Sequence, residues 1–373
     1  MKTRASKRKS SAANVSDVED QNSMKKQRVV LGEISNSNNV SVSPISNPEV
    51  SGRVRNSRIK RVAATRKALS SVDSNIDTEN KAPESFTEKS ITEVKFSDPQ
   101  NCEPFVHEID SYLCSMEREI KRRPIFNYIE RVQCEVTTQM RGILVDWMVE
   151  VAEEYKLLPD TLFLSVSYVD RFLSLNRVPK LKLQLLGVSS MLIAAKYEEM
   201  TPPHVENFVL ITDSTYNKSE VVKMEADILK SLRFEIGNPT AKTFVRRFAG
   251  IGCENNKAKK LKFECLCNYL VELSLLEYCC LKFLPSLVAA SATFLARYIT
   301  WPKLHPWTTT LCKFTGYNAA DLKECVLVLH ELFMARKGGS FPAIREKYKQ
   351  HKFKNVAYLP SPPQLPRSLF EDE

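Results

Sequence analysis

One stretch of sequence decides how the rest of the chain is interpreted: Met140-Arg141-Gly142-Ile143-Leu144-Val145-Asp146-Trp147. Its apolar side chains lie at positions i, i+3, i+4 and i+7, which places Met140, Ile143, Leu144 and Trp147 on one stripe of a helix. By periodicity alone, the stripe predicts a face packed into a hydrophobic core. The alternative is an exposed groove that receives an apolar side chain from a partner protein.

Helical periodicity continues on both sides of this stretch. Thr137 or Thr138 is placed to N-cap the helix through Tyr155. Further helices are predicted over 159–175, 180–199, 204–210 and 217–232. An earlier helix, which Pro124 would end, is predicted from the spacing of Ile109, Tyr112, Leu113, Met116 and Ile120. No stretch alternates convincingly as a strand would, so the sequence predicts an all-α protein.

The chain also repeats itself at an offset of 101 residues. Tyr197 aligns with Tyr298, and the Tyr-Asn pair at 216–217 aligns with the pair at 317–318. One offset that holds across two separated helices predicts a duplicated helical domain. The helix-stopping cluster at 237–239 marks the linker between the copies.

The net positive charge of the chain lies entirely in its first residues. The 373 residues carry a formal charge of +10, and residues 1–67 hold 15 Lys and Arg against 5 Asp and Glu, so the remainder is neutral. Residues 1–85 contain no aromatic side chain. Such a segment buries too little apolar surface to fold, which predicts a disordered basic tail over 1–100. The neutral body argues against a protein that grips nucleic acid through a broad positive surface.

The sequence contains no recognisable motif of an enzyme, a cofactor site or a metal site. Phosphate-binding, dinucleotide-binding, zinc-protease and nucleophile-elbow patterns are missing, and the five His residues lack ligand spacing. The ten Cys residues form no C-x-x-C pair, which favours reduced thiols in an intracellular protein. No apolar run approaches the ~18 residues of a membrane helix. We therefore expect no catalytic residue, cofactor, metal or membrane span.

The stretch at 140–147 and its continuation to Tyr155 resemble the M-R-A-I-L-V-D-W signature of the mitotic cyclins, most of all the A-type cyclins of plants. The likeness continues through Y-V-D-R-F-L at 168–173, K-L-Q-L at 182–185, A-K-Y-E-E at 195–199 and the Pro pair at 202–203. It covers residues 100–355 and is strongest over 137–236. It implies two tandem five-helix cyclin boxes, preceded by an N-terminal helix, in a protein that binds and activates a cyclin-dependent kinase and has no activity of its own.

The resemblance further implies which residues contact the kinase: Ile109, Tyr112, Lys196, Tyr197, Glu198, Glu199, Glu225, Phe234 and Ile236. Lys196 and Glu225 match a charged pair that contacts the regulatory helix of the kinase and its flanking loop. The competing interpretation of a helical Lys and Glu is a solvated surface pair of little energetic value. In the second copy, Lys196 aligns with Arg297 but Glu225 aligns with Val326, which indicates that the two copies have different functions.

The resemblance assigns the apolar stripe to a substrate-docking groove formed by Met140, Ile143, Leu144, Trp147, Glu150, Leu183 and Gln184. The groove would take an Arg-x-Leu motif of substrates and inhibitors, with the Leu in the apolar slot and the Arg paired to Glu150. The departure from the family is Gly142, where Ala is usual, because Gly inside a helix costs ~1 kcal/mol relative to Ala. We interpret this Gly as permitting a close backbone approach; it removes no groove side chain.

Two motifs of the resemblance fall in the basic tail. The destruction box of mitotic cyclins, R-x-x-L-x-x-[IL]-x-N, is matched by Arg28, Leu31, Ile34 and Asn36. It implies degradation through a ubiquitin ligase of the anaphase-promoting type. A bipartite nuclear import signal is matched by Lys7, Arg8, Lys9, Lys25, Lys26 and Arg28, which implies a nuclear protein that can shuttle to the cytoplasm. The alternative for these cations is a solubilising tail. Ser43-Pro44 and Ser361-Pro362 are minimal proline-directed phosphorylation sites.

The expected organisation is a regulatory tail over 1–100, an N-terminal helix and linker over 101–136, cyclin boxes over 137–236 and 239–355, and a C-terminal tail over 356–373. The expected role is control of progression through S phase and from G2 to mitosis. The competing interpretation is a transcription-factor core with tandem cyclin folds that binds promoter DNA. That family carries an N-terminal zinc ribbon, which this sequence lacks, and basic repeats, whereas residues 68–373 are neutral.

Overall fold

The computed structural model describes residues 103–254, 257–335 and 341–371. The regular structure of these residues is entirely helical, which confirms the predicted all-α class. Within the same residues no helix is both long and apolar enough to cross a membrane. The helices are α1 (Val106–Arg118), α2 (Tyr128–Arg131), α3 (Thr138–Glu154), α4 (Pro159–Leu175), α5 (Leu183–Glu198), α6 (Val205–Leu210), α7 (Lys218–Ser231), α8 (Ala241–Gly252), α9 (Lys257–Leu276), α10 (Pro285–Thr300), α11 (Thr309–Thr315), α12 (Ala319–Met334) and α13 (Ala343–Tyr348).

Each box is built around one helix that is apolar on every side. In α5 every residue from Leu183 to Ala195 is buried, and in α10 every residue from Val288 to Arg297 is buried. A helix that is apolar all round requires neighbours all round. In the first box α3, α4, α6 and α7 enclose α5, and in the second α8, α9 and α12 pack on α10.

The 101-residue repeat is visible in the caps of equivalent helices. The Asn217 side chain accepts a hydrogen bond from the Glu220 amide at 3.0 Å, and the Glu220 carboxylate accepts one from the Asn217 amide at 2.9 Å. The same reciprocal capping box opens α12 with Asn318 and Asp321. Because α3 to α7 correspond in order to α8 to α12, the described helices form two five-helix units in tandem, as predicted.

The helix ahead of the first box ends earlier than its apolar spacing predicts. It stops at Arg118, because Glu119 adopts an extended backbone, and a 3-10 turn over Ile120–Arg122 follows. The side chain of Ile120 is therefore 91% exposed instead of continuing the buried face. The turn places the Arg122 guanidinium 2.5 Å from the carbonyl oxygen of Gly237. The predicted helix to Pro124 did not include this contact.

Buried polar contacts join the two boxes and the N-terminal helix. Arg141 forms a two-pronged ion pair with Asp170, with both N–O distances 2.7 Å, and donates a third hydrogen bond to the carbonyl oxygen of Leu275 on α9. The buried Glu117 carboxylate of α1 accepts hydrogen bonds from the amide and hydroxyl of Ser286 at the start of α10. The segment after 355 also packs on the second box and is described as far as Glu371.

Candidate functional site

Lys196 and Glu225 lie side by side on neighbouring helices of the first box. The Lys196 ammonium at the end of α5 is 2.6 Å from the Glu225 carboxylate on α7. The Lys side chain is about half exposed and the Glu side chain is mostly buried. The pair therefore ties two helices together and still presents a cation at the surface.

The equivalent positions of the second box are inside the protein. Arg297 is buried and donates hydrogen bonds to the carbonyl oxygens of Pro306 and Gly252. Val326 is fully buried. In the second box these two positions therefore serve the core, and the corresponding charged pair is a feature of the first box.

Apolar side chains project into solvent beside this pair. Tyr197 is 52% exposed and Phe234 is 68% exposed. The Tyr197 hydroxyl approaches Gly237 so closely that a Cβ there would lie 2.6 Å from it. Ile236 is half-buried, and its carbonyl oxygen accepts a hydrogen bond from the Tyr168 hydroxyl at 3.0 Å. The C-terminal end of α5 and the loop over 234–237 therefore form one continuous surface.

The backbone of this loop is strained at Phe234 and at the residue before it. Arg233 and Phe234 have φ angles of +52° and +58°, in the left-handed region that non-glycine residues rarely occupy. Two such residues in succession cost on the order of 1–3 kcal/mol each, and they persist only where their surroundings hold them. Glu235, the next residue, is held by Lys121 at 2.8 Å and by Arg122 at 2.5 Å. These two cations keep the pKa of Glu235 below its usual value.

The turn after α1 belongs to the same surface, although the sequence did not single it out. Lys121 and Arg122 bring the exposed Ile120 next to the loop that carries Phe234. The signal that could have identified it is the cluster of charges at 117–123 around one large apolar residue. We call Ile120, Tyr197 and Phe234, with the Lys196–Glu225 pair and Glu235, the α5–α7 surface.

The other residues predicted to contact a kinase have mixed environments. On α1, Tyr112 is exposed and Ile109 is half-buried. Burial, with a smaller effect of nearby Asp160, raises the pKa of Glu198. The Glu199 carboxylate accepts hydrogen bonds from the Leu158 amide at 2.7 Å and from the Thr161 hydroxyl at 2.6 Å. Glu199 therefore caps the start of α4, a structural role that its position in the sequence motif did not reveal.

The residues predicted to form the docking groove fall into a buried and a partly exposed set. Leu144 and Leu183 are 0% and 2% exposed, and Gln184 is also buried, so in the predicted groove these three would be the floor and the more exposed residues the rim. Met140, Ile143 and Trp147 are half-buried, and Glu150 is exposed. Each interpretation of the apolar stripe, as a core face or as an exposed surface, therefore holds for some of its residues. One side of the stripe is buried in the core, and the other side is accessible to solvent.

Gly142 makes room for an aromatic ring rather than for a backbone segment. A Cβ at Gly142 would overlap Cζ of Phe341 and lie 2.7 Å from its Cε2. Two residues later the amide of Ala343 donates a 2.9 Å hydrogen bond to the Asp146 carboxylate on α3. The segment that opens α13 is therefore fastened to α3 by one apolar and one polar contact, one helical turn apart.

Asp146, next to the predicted groove, has a carboxyl group whose pKa is strongly shifted by the fold. Burial raises the pKa of Asp146 to about 7; the Ala343 amide opposes this shift, and the negative charge of Glu150 adds to it. Near neutral pH the Asp146 carboxyl is therefore divided between its charged and its neutral form.

The motifs predicted in the basic tail lie outside the described residues, as does the predicted tail over 1–100. They are the destruction box at 28–36, the import signal at 7–28 and Ser43-Pro44. Among the described residues, no group of three or more His, Cys, Asp or Glu is arranged to hold a metal ion.

Two family models match the chain in tandem. The cyclin N-terminal domain matches residues 108–237, and the cyclin C-terminal domain matches residues 239–362. Among solved structures, a viral cyclin from herpesvirus saimiri superposes with a TM-score of 0.53 at 20% identity, over 61% of this chain and 96% of the viral chain. At that identity the superposition supports the fold alone.

Two plant proteins are similar to this chain over nearly its whole length. Putative cyclin-A3-1 of Arabidopsis thaliana is 52% identical over 99% of this chain and 95% of its own length. The G2/mitotic-specific cyclin C13-1 of Daucus carota is 53% identical over 93% of this chain and 96% of its own length. With both domains matched in order and half of all residues shared, the chain belongs to the cyclin family, among the A-type cyclins of plants.

Proposed function

We propose that this chain binds and activates the catalytic subunit of a cyclin-dependent Ser/Thr kinase through the α5–α7 surface. Membership of the cyclin family gives it a regulatory role toward such a kinase in the cell cycle, and cyclins are not themselves enzymes. The observation that carries the proposal is the exposure of Ile120, Tyr197 and Phe234 around ordered ion pairs. Large apolar side chains grouped in this way are characteristic of protein-binding surfaces.

The proposed mechanism is a population shift in the kinase. A kinase is active when its regulatory helix is turned inward, so that a Glu on that helix meets the Lys that positions ATP. A surface that binds only this inward state stabilises it by its differential affinity. The backbone strain at Arg233 and Phe234 supports the proposal, because strained residues held by their surroundings are common in preformed binding surfaces.

We further propose that the rim of the groove recruits substrates and inhibitors that contain an Arg-x-Leu motif. The Leu would reach the floor formed by Leu144 and Leu183 between Met140 and Trp147, and the Arg would pair with Glu150. The exposed carboxylate of Glu150 beside half-buried apolar residues supports this assignment. Ion pairs between Arg and a carboxylate give such motifs their orientation.

The tail motifs complete the proposal. The destruction box at Arg28, Leu31, Ile34 and Asn36 would be read by a ubiquitin ligase of the anaphase-promoting type. The basic residues over 7–28 would direct the protein to the nucleus, where it would act in S phase and from G2 to mitosis. The matched order of basic and degron motifs ahead of two cyclin boxes supports both assignments.

A charge swap tests the kinase surface. Lys196→Glu combined with Glu225→Arg restores an ion pair within the chain but reverses both charges presented to a partner. We expect the double variant to melt close to wild type and to lose at least ~tenfold in kinase activation, about 1.4 kcal/mol of binding free energy. Retention of full activation would identify the pair as merely structural.

Phe234→Ala tests the apolar part of the surface, with Leu304→Ala as its matched control. Both residues are exposed, Leu304 lies in the second box, and neither substitution should change the melting temperature appreciably. We expect only Phe234→Ala to weaken co-purification of the kinase. If wild-type protein binds no kinase but retards duplex DNA, the transcription-factor interpretation replaces the proposal.

Recruitment is tested separately by Glu150→Gln, with Gln139→Lys as a control on the same helix that changes the net charge equally. We expect Glu150→Gln to raise KM about tenfold for Arg-x-Leu substrates and to leave kcat for short peptides unchanged. An equal effect of Gln139→Lys would show that charge alone, and not the groove, was responsible.

A further inference from the structure

The last described residues form a strap across the second box. This C-terminal strap, residues 359–371, contacts α12 and α10 and has a 3-10 turn over Arg367–Phe370 near its end. Phe370 is buried and its ring stacks on Phe294 of α10, with 5.3 Å between centroids and 8° between planes. One end of the strap is thus fixed by an aromatic contact with the core.

The other end of the strap is fixed by one buried imidazole. Nε2 of His330, on α12, lies 3.1 Å from the Ser361 hydroxyl oxygen and 3.0 Å from the Pro362 carbonyl oxygen. Because a carbonyl oxygen can only accept, Nε2 must carry a proton and donate it here. Burial lowers the pKa of His330, which favours the neutral imidazole at this position.

The segment around Ser361 has the form of a kinase substrate. Ser361 is followed by Pro362, and Pro360, Pro362 and Pro363 are exposed on either side of it. Prolines have no amide hydrogen, so this stretch can donate few backbone hydrogen bonds that would hold the strap in place. Only the Ser361 side chain, half-buried toward His330, turns inward.

We propose that Ser361 is a phosphorylation site for a proline-directed Ser/Thr kinase and that its phosphorylation releases the C-terminal strap. In the reaction, Ser361 Oγ attacks the γ-phosphorus of Mg-ATP, the bond from that phosphorus to the bridging oxygen breaks, and ADP leaves with the electron pair. The hydroxyl proton passes to the base of the kinase. The site is independent of the α5–α7 surface.

The charge and the volume of a phosphoryl group on Ser361 would both displace the C-terminal strap. A phosphoryl group adds about −1.5 to −2 charges and three oxygens where a single hydroxyl now lies against a buried ring. The group would lie beside the carbonyl oxygen of Pro362, which can only accept a hydrogen bond, and the acidic residue next to His330 on α12 is Glu331. Because burial lowers the pKa of His330 and so favours its neutral form, the ring is a poor source of positive charge to offset the desolvation of a dianion.

The test uses the full chain, treated with a purified proline-directed kinase and Mg-ATP. Mass spectrometry locates the phosphate, and hydrogen–deuterium exchange reports on the strap. We expect phosphate on Ser361, at least ~tenfold faster exchange of the amides over 364–371, and a melting temperature lower by several °C. Phe370→Ala, which removes the other anchor, should give similarly fast exchange without phosphorylation.

Ser361→Ala is the matched control. It retains Ser43-Pro44, so it reports any effect of phosphate elsewhere, and it retains the Pro362 contact with His330. We expect kinase treatment to leave its exchange and melting temperature unchanged. The proposal is overturned if Ser361 takes no phosphate in wild type or in Phe370→Ala. It is equally overturned if phosphorylated Ser361 leaves exchange of the strap unchanged or slows it.

Discussion

At the scale of single residues, Gly142 and Phe341 form a matched pair. A Gly within α3 forgoes the helix stability that Ala would supply, about 1 kcal/mol. In this chain the space is filled by the Phe341 ring, which lies where a Cβ would be. The Gly is therefore explained by a contact 199 positions further along the chain, which no reading of local sequence reveals.

Gly142→Ala should accordingly depend on what stands at position 341. In wild type the new methyl group displaces the ring, and overpacking of about 1–3 kcal/mol outweighs the helix gain, so the variant should be destabilised. In the Phe341→Ala background the same substitution should stabilise by about 1 kcal/mol. Urea denaturation of the four variants measures the coupling, and additive effects would contradict the pairing.

Asp146 gives the stability of the protein a pH dependence near neutrality. Its pKa rises from 3.8 to about 7 in the folded chain, so between these values the folded state binds more protons than the unfolded state. The free energy of unfolding therefore falls as pH rises through this window. Asp146→Asn keeps an acceptor for the Ala343 amide but does not ionise.

We expect the melting temperature of Asp146→Asn, relative to wild type, to rise by a few °C between about pH 5 and about pH 8. Differential scanning fluorimetry across that range provides the measurement. Curves for the two proteins that stay parallel would show that Asp146 does not titrate as inferred.

At the scale of elements, the equivalent caps of α7 and α12 allow a comparison within one molecule. Asn217→Ala and Asn318→Ala each remove the side-chain acceptor of a reciprocal capping box. Each substitution should destabilise its box by about 1 kcal/mol, because an N-cap side chain contributes roughly that much. Asn→Ser at either position should recover most of the loss, since Ser caps nearly as well. Chemical denaturation that shows no loss for either Ala variant would contradict this expectation.

At the scale of the whole molecule, Arg141 couples the boxes. It is buried, pairs with Asp170 of the first box and reaches the Leu275 carbonyl of the second. Arg141→Met leaves the buried Asp170 carboxylate with the Tyr128 hydroxyl as its remaining side-chain donor at 2.8 Å. We expect a loss of about 3–5 kcal/mol in the free energy of unfolding.

A second ion pair provides the control for this prediction. Lys352 also bridges the boxes, 3.0 Å from Glu153, but its side chain is exposed. Lys352→Ala should cost less than about 1 kcal/mol, since exposed pairs contribute little. Adding Asp170→Asn to Arg141→Met should recover part of the loss, because the uncompensated charge is then gone. Similar losses for Lys352→Ala and Arg141→Met would refute the special role of Arg141.

Local sequence was sufficient for the helices and their duplication. Apolar spacing of three and four, with Pro and Asn at the ends, predicts the ends of α3 to α7 to within three residues, because helix starts are encoded by neighbouring residues. The largest difference is at the start of α5, where Lys180–Lys182 form a 3-10 turn and the α-helix begins at Leu183. The exception was α1, where the spacing of Ile120 suggested a longer helix. There the helix stops where Glu119 adopts an extended backbone, and the following turn brings Arg122 to the Gly237 carbonyl, more than a hundred residues away.

What the sequence by itself determined was the all-α class, the tandem boxes and the resemblance to A-type cyclins, because periodicity, caps and motifs are local. What only the tertiary structure decided was which side of each helix is reachable: Leu144 is buried and Ile143 stays partly exposed, and Glu199 caps a neighbouring helix. Exposure depends on which segments pack against a residue, and those segments come from distant parts of the chain. The same holds for Ser361-Pro362. In the sequence it is only a common dipeptide, and what singles it out is the buried His330 that the fold places beside Ser361.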